Sequence, residues 1–172
     1  MHISTLLEAS SRITGTLQLY VPNPKNVNEM FKPEPDANTI WTSTASRVGD
    51  KYTSEWVEWC KYEMPHWLSN MGFLYRVSPA ARVLNMDSDA AAYEIAKKYG
   101  IEPPEDRFDF SWIRKFPWNK IRTEYDAIHH IPTDTGMRNI FMSSWDVEST
   151  VWFNKTKLIK IAEVPISKEK PW

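Results

Sequence analysis

The sequence predicts a single α+β domain. Segments with strand character bracket a few helical ones, and the regular β-α-β alternation of a doubly wound sheet is missing. The length of 172 residues leaves room for one hydrophobic core and little for two. One domain over residues 1–172 is therefore expected.

Residues 16–21 (TLQLYV) alternate as a strand does, and residues 39–44 (TIWTST) are β-branched and aromatic. Between them, residues 22–38 hold several Pro and Asn and read as a long loop of the kind used for lids or binding. Residues 54–64 (SEWVEWCKYEM) have helical spacing. Trp56, Val57, Trp59, Cys60 and Met64 form the apolar face, and Glu55, Glu58 and Lys61 face water. Ser54 caps this helix, and Pro65 limits it. Strands follow at residues 72–77 and 82–86. A second helix opens at residues 87–89, runs to Tyr99 and closes on Gly100. Residues 101–107 are a charged connection, and short helical turns are expected at residues 111–116 and 117–124. The remainder reads as β, at residues 126–131, 138–142, 149–153 and 157–164.

With 21 basic and 22 acidic residues the chain has a net charge of −1, so no basic field points to duplex-DNA groove binding or an anionic membrane surface. No stretch approaches the roughly 18 apolar residues of a membrane span, and no secretory leader is visible. The single cysteine, Cys60, excludes an intramolecular disulfide and suits a reducing compartment. A soluble cytoplasmic protein is the expectation. Nine tryptophans are many for this length; they supply core volume or, beside polar loops, a wall for a planar ligand.

Phosphate-binding glycine loops, nucleophile-elbow and zinc-protease motifs are absent. No four ligands have structural-zinc spacing, so no metal is expected. His129 and His130, adjacent in a strand, point to opposite faces, and one buried and one exposed imidazole is the expectation. Cys60, on an apolar helix face, reads as an inert thiol. Residues 143–153 (SSWDVESTVWF) are more informative: a polar turn carrying Asp146 and Glu148 leads into a β-branched, aromatic strand. Such a carboxylate is held by rigid backbone and is expected at the mouth of a binding cleft. The plainer alternative is a pair of solvated loop acids.

Four short blocks carry a resemblance to the ADP-ribosyltransferase superfamily. They are His2-Ile3-Ser4; Trp41-Thr42-Ser43-Thr44 with the aromatic helix that trails it; Tyr125-Asp126-Ala127-Ile128; and Glu148-Ser149-Thr150-Val151-Trp152-Phe153-Asn154, followed by Leu158-Ile159-Lys160-Ile161. The resemblance spans most of the chain. It implies a split β-sheet core of two packed sheets with flanking helices, and a cleft that takes NAD as substrate. Glu148 would be the catalytic acid that steadies the oxocarbenium-like centre as nicotinamide leaves. Thr42 and Ser43 would be supporting hydroxyls and His2 the ribose ligand, with Trp41, Trp56, Trp59 or Tyr62 stacking on the nicotinamide. The acceptor would be a protein, a nucleic acid or a small molecule, and the biological setting a toxin, a defence factor or a phage-encoded factor. Val21 follows Leu19-Tyr20, where the family carries His or Arg, and Asp146 replaces the first acid of the arginine-specific members. These departures fit the alternative reading, a non-catalytic nucleotide-binding module on the same fold. A third reading is an inhibitory protein that docks its aromatic loops on a partner.

Overall fold

The structure, a computed structural model, describes residues 12–22, 39–106, 109–132 and 147–170, without the side chains of Phe110 and Ile113. In chain order the strands are β1 (Leu17–Tyr20), β2 (Ile40–Thr44), β3 (Ser46–Val48), β4 (Lys51–Thr53), β5 (Met71–Val77), β6 (Val83–Asn85), β7 (Ala127–His130), β8 (Ser149–Trp152) and β9 (Leu158–Pro165). The helices are α1 (Glu55–Glu63), α2 (Asp89–Lys98), α3 (Phe110–Lys115) and α4 (Trp118–Glu124). The fold is α+β, as the sequence predicts. The strand expected at residues 138–142 and most of the long loop lie outside the described residues.

Local chemistry sets the helix ends. The Ser54 hydroxyl accepts from the Val57 N–H and the Ser88 hydroxyl from the Ala91 N–H, so both long helices are capped at their N-termini. Gly100, at φ 76°, ends α2: its N–H bonds the Lys97 carbonyl and the next N–H, of Ile101, bonds that of Ala96. One helix residue corrects the reading of α1. Lys61, expected in water, is only 4% exposed, and its ammonium lies 2.8 Å from Glu58.

Seven of the described strands are hydrogen-bonded in the order β6-β7-β8-β2-β1-β5-β9, and β3 and β4 form a separate hairpin. Only the β6–β7 pair is parallel among the described strands. Strand β2 serves both halves of the run. Its residues Ile40, Trp41 and Thr42 pair with β8, while Ser43 and Thr44 pair with β1. The flanks of the run divide accordingly. Leu84, Ile128 and Val151 pack under α2, α3 and α4, and Leu19, Leu74 and Val164 pack against Val57 and Cys60 of α1.

A third cluster joins Val77 and Leu158, from one end of the run, to Val83, Ala127 and Trp152 at the other. Strands that are not neighbours share a core only if the sheet folds over on itself. Two packed sheets were expected; the described strands instead form one run whose halves face each other across this cluster, with β2 at the turn.

Candidate functional site

Period-two alternation puts a polar stripe on the inner face of that turn. The register Thr42↔Thr150 continues to place Thr44 opposite Glu148, Gln18 pairs with Thr44, and His129 pairs with Thr150. Cross-strand partners share a face, so Gln18, Thr42, Thr44, Glu148, Thr150 and His129 line one surface together with Trp152. Ser43, beside them on β2, reaches the same carboxylate.

Glu148 is the centre of this stripe. One oxygen, Oε2, accepts from the Ser43 hydroxyl at 2.7 Å and the Thr44 backbone N–H at 2.8 Å. The other, Oε1, accepts from the Thr44 hydroxyl at 2.9 Å and lies 2.7 Å from His129 Nε2. The Glu148 N–H donates to the Glu55 carboxylate at the start of α1, at 2.9 Å. Burial alone would raise the Glu148 pKa, but the His129, Ser43 and Thr44 donors outweigh it, and the carboxyl is held below its ordinary range. The side chain is therefore a buried, oriented anion.

Two chains of hydrogen bonds run outward from it. On one side Gln18 donates to the Thr44 hydroxyl at 3.0 Å and accepts from the Thr42 hydroxyl at 2.8 Å; Thr42 in turn accepts from the Trp152 indole N–H at 2.9 Å. On the other side, Arg12 Nε donates to His129 Nδ1 at 2.7 Å, and the two terminal nitrogens of Arg12 grip Asp87 at 2.7 Å each. Asp87 also accepts from the Ile131 N–H. Burial opposes ionisation of Asp87 as well, and Arg12 with the Ile131 N–H outweighs it, so its pKa is lowered too. Asn85, in register with His129, is buried with neither atom of its amide group hydrogen-bonded.

The structure brings two of the residues singled out from sequence together, Ser43 and Glu148. It corrects the position of Glu148, which is 6% exposed and so does not stand at the mouth of a cleft. Two surface depressions among the described residues lie elsewhere, one around Arg114, Phe116 and Trp118 and the other around Lys51, Met71 and Ile166. Thr42 is on the stripe but spends its hydroxyl on Gln18 and Trp152. Trp41 packs against the cluster under α2–α4, and Trp56 and Trp59 pack against the one under α1. Tyr62 is 46% exposed. His2 and Asp146 lie outside the described residues. His129 and His130 do point apart, His130 Nδ1 lying 2.7 Å from the Met86 carbonyl, but both are buried, which corrects the expectation of one exposed ring.

Sequence reasoning missed His129, Arg12, Asp87, Gln18 and Thr44 as parts of the site. Gln18 left a faint signal, an amide inside an otherwise apolar strand. Among the described residues no group of three or more His, Cys, Asp and Glu side chains is placed to hold a metal ion, and no helix is long and apolar enough to cross a membrane. No protein-family model matches the chain, and neither a curated protein nor a solved structure matches it.

Proposed function

We propose that the chain is an ADP-ribosyltransferase-like enzyme that uses NAD as substrate, with Glu148 as the catalytic carboxylate. The observation that carries this reading is the convergence of Ser43 and Glu148, 105 residues apart in sequence, on a 2.7 Å hydrogen bond. The two belong to the two blocks of resemblance that supply the hydroxyl and the acid. The lowered pKa keeps Glu148 negative at neutral pH, which steadying a developing oxocarbenium charge requires. Substrate reaches Oε1 in this reading when the Thr44 hydroxyl, on a half-buried residue at the end of β2, rotates away and a ribose hydroxyl donates in its place. The unpartnered Asn85 amide adds a polar contact not used by the protein itself.

Burial of Glu148, with two donors on each oxygen, favours a second reading, in which the acid fixes the fold of a non-catalytic module. Nicotinamide release from NAD, with and without cell lysate as a source of acceptor, separates the two. The enzyme reading expects release that falls on the order of 10²–10³-fold in Glu148→Gln. Quenching of tryptophan fluorescence by NAD without any release would support the binding module, and neither signal at millimolar NAD would sink both.

A further inference from the structure

Glu148 is oriented by a neighbour whose protonation the structure dictates. A guanidinium carries five N–H donors and no acceptor, and it does not deprotonate in proteins. Arg12 Nε lies 2.7 Å from His129 Nδ1, so this nitrogen must present its lone pair. A neutral imidazole then has its one proton on Nε2, 2.7 Å from a carboxylate oxygen that accepts it. Arg12 cannot swing away freely, since Asp87 holds both of its terminal nitrogens. Asp87 follows β6, His129 sits on the adjacent β7 and Glu148 leads into β8, so three neighbouring strands present their groups to Arg12, which comes from the segment before β1.

We propose that Arg12 and His129 are positioning residues for Glu148: Arg12, clamped by Asp87, fixes His129 in its Nε2–H tautomer, and that single N–H aims and holds the Glu148 carboxylate. This rests on the reading of Glu148 as the catalytic group. It also assigns His129 a role the adjacent-histidine pattern does not suggest. With Nδ1 occupied by Arg12 and Nε2 already protonated, His129 has no free lone pair and does not serve as the base for an incoming acceptor. His130, whose Nδ1 faces the Met86 carbonyl, offers an internal contrast, because a carbonyl requires the proton on Nδ1.

The test is nitrogen NMR of the full-length protein labelled in its histidine rings, with the His129 signals identified by their loss in His129→Asn. The expected spectrum at neutral pH has an unprotonated Nδ1 and a protonated Nε2 at His129, and a protonated Nδ1 at His130. Arg12→Met should turn His129 into a tautomer mixture and lower the rate of nicotinamide release on the order of 10–10²-fold, the range seen when an orienting partner is lost. A wild-type His129 protonated on Nδ1, or on both nitrogens, overturns the relay, and so does an Arg12→Met sample with unchanged tautomer and rate. Should Arg12→Met not fold, Arg12→Lys, which keeps a charge but cannot hold Asp87 and His129 together, is read the same way. A correct His129 signature in a protein that neither binds nor cleaves NAD would uphold the tautomer assignment and remove the NAD reading.

Discussion

At the scale of single residues, the environment of Glu148 couples the site to stability. Its folded pKa lies below the ordinary 4.5, as that of Asp87 lies below 3.8. A depressed pKa means the folded state binds the proton less readily than the unfolded one, so the stabilisation is complete above those ordinary values. It is lost as pH falls through the lowered ones. Acid should therefore lower the unfolding temperature steadily below about pH 4.5, and Glu148→Gln should flatten that slope; equal slopes in the two proteins would contradict it. The same substitution places an amide N–H₂ where four donors already point, leaving at least one buried group unpaired. A loss of about 1–3 kcal/mol in denaturant unfolding is expected, alongside any loss of activity. Cys60 offers a separate check, because burial pushes its thiol up to about 12. It should resist alkylation at neutral pH until the protein unfolds. Glu148, Ser43 and the buried Cys60 were legible in sequence, since an acid before a β-branched strand, a hydroxyl-rich strand and a thiol on an apolar helix face are local patterns. Arg12 and His129 were not, because their meaning lies in partners 117 residues apart.

At the scale of elements, signals within a few residues set the helices, and packing sets the strands. Helices α1 and α2 could be read nearly to their ends because Ser54, Ser88 and Gly100 act on their own neighbours. Ser54→Ala and Ser88→Ala should each cost about 1 kcal/mol by denaturant unfolding, with no effect on the His129 tautomer. A tautomer change in Ser54→Ala would mean that α1, through Glu55, holds the site more tightly than one backbone hydrogen bond suggests. The β3–β4 hairpin went unread because all three β3 residues are exposed, which leaves no alternation to detect. Strand β5 depends on a close approach that sequence does not reveal. A Cβ at Gly72 would lie 2.7 Å from the Ile166 side chain and 3.0 Å from the Tyr20 carbonyl oxygen. The second contact is with backbone, so β1 and β5 would have to separate. Gly72→Ala should destabilise by about 1–3 kcal/mol, the range for overpacking a filled interior, and wild-type stability would show that the strands can shift without penalty.

At the scale of the whole molecule, the fold and the site share one joint. Strand β2 pairs with β8 through its first residues and with β1 through its last, and the stripe that holds Glu148 lies on the face enclosed by the turn. That a sheet would form was legible from β-branched and aromatic segments; that its halves would face each other through Trp152, Val77 and Leu158 was not, because it depends on contacts between strands that are not neighbours. Trp152 is where the joint is most exposed to test. It is fully buried, it fills the space between the halves, and its indole N–H ends the chain Trp152–Thr42–Gln18–Thr44 that reaches Oε1 of Glu148. Trp152→Phe removes the N–H and part of the ring, so it leaves a small void and takes from Thr42 the donor it accepts. A loss of about 2–4 kcal/mol follows from a buried acceptor left unpaired and a cavity left unfilled. Trp118→Phe, in the cluster under the helices, is the control, since it removes similar volume without touching that chain. If the joint aligns the site, Trp152→Phe should also alter the His129 ring signals and the response to NAD, and Trp118→Phe should lower stability alone. Equal effects of the two substitutions on His129 would mean that the carboxylate is held locally, by β2 and β7, and that the packing between the halves serves the fold without tuning the site.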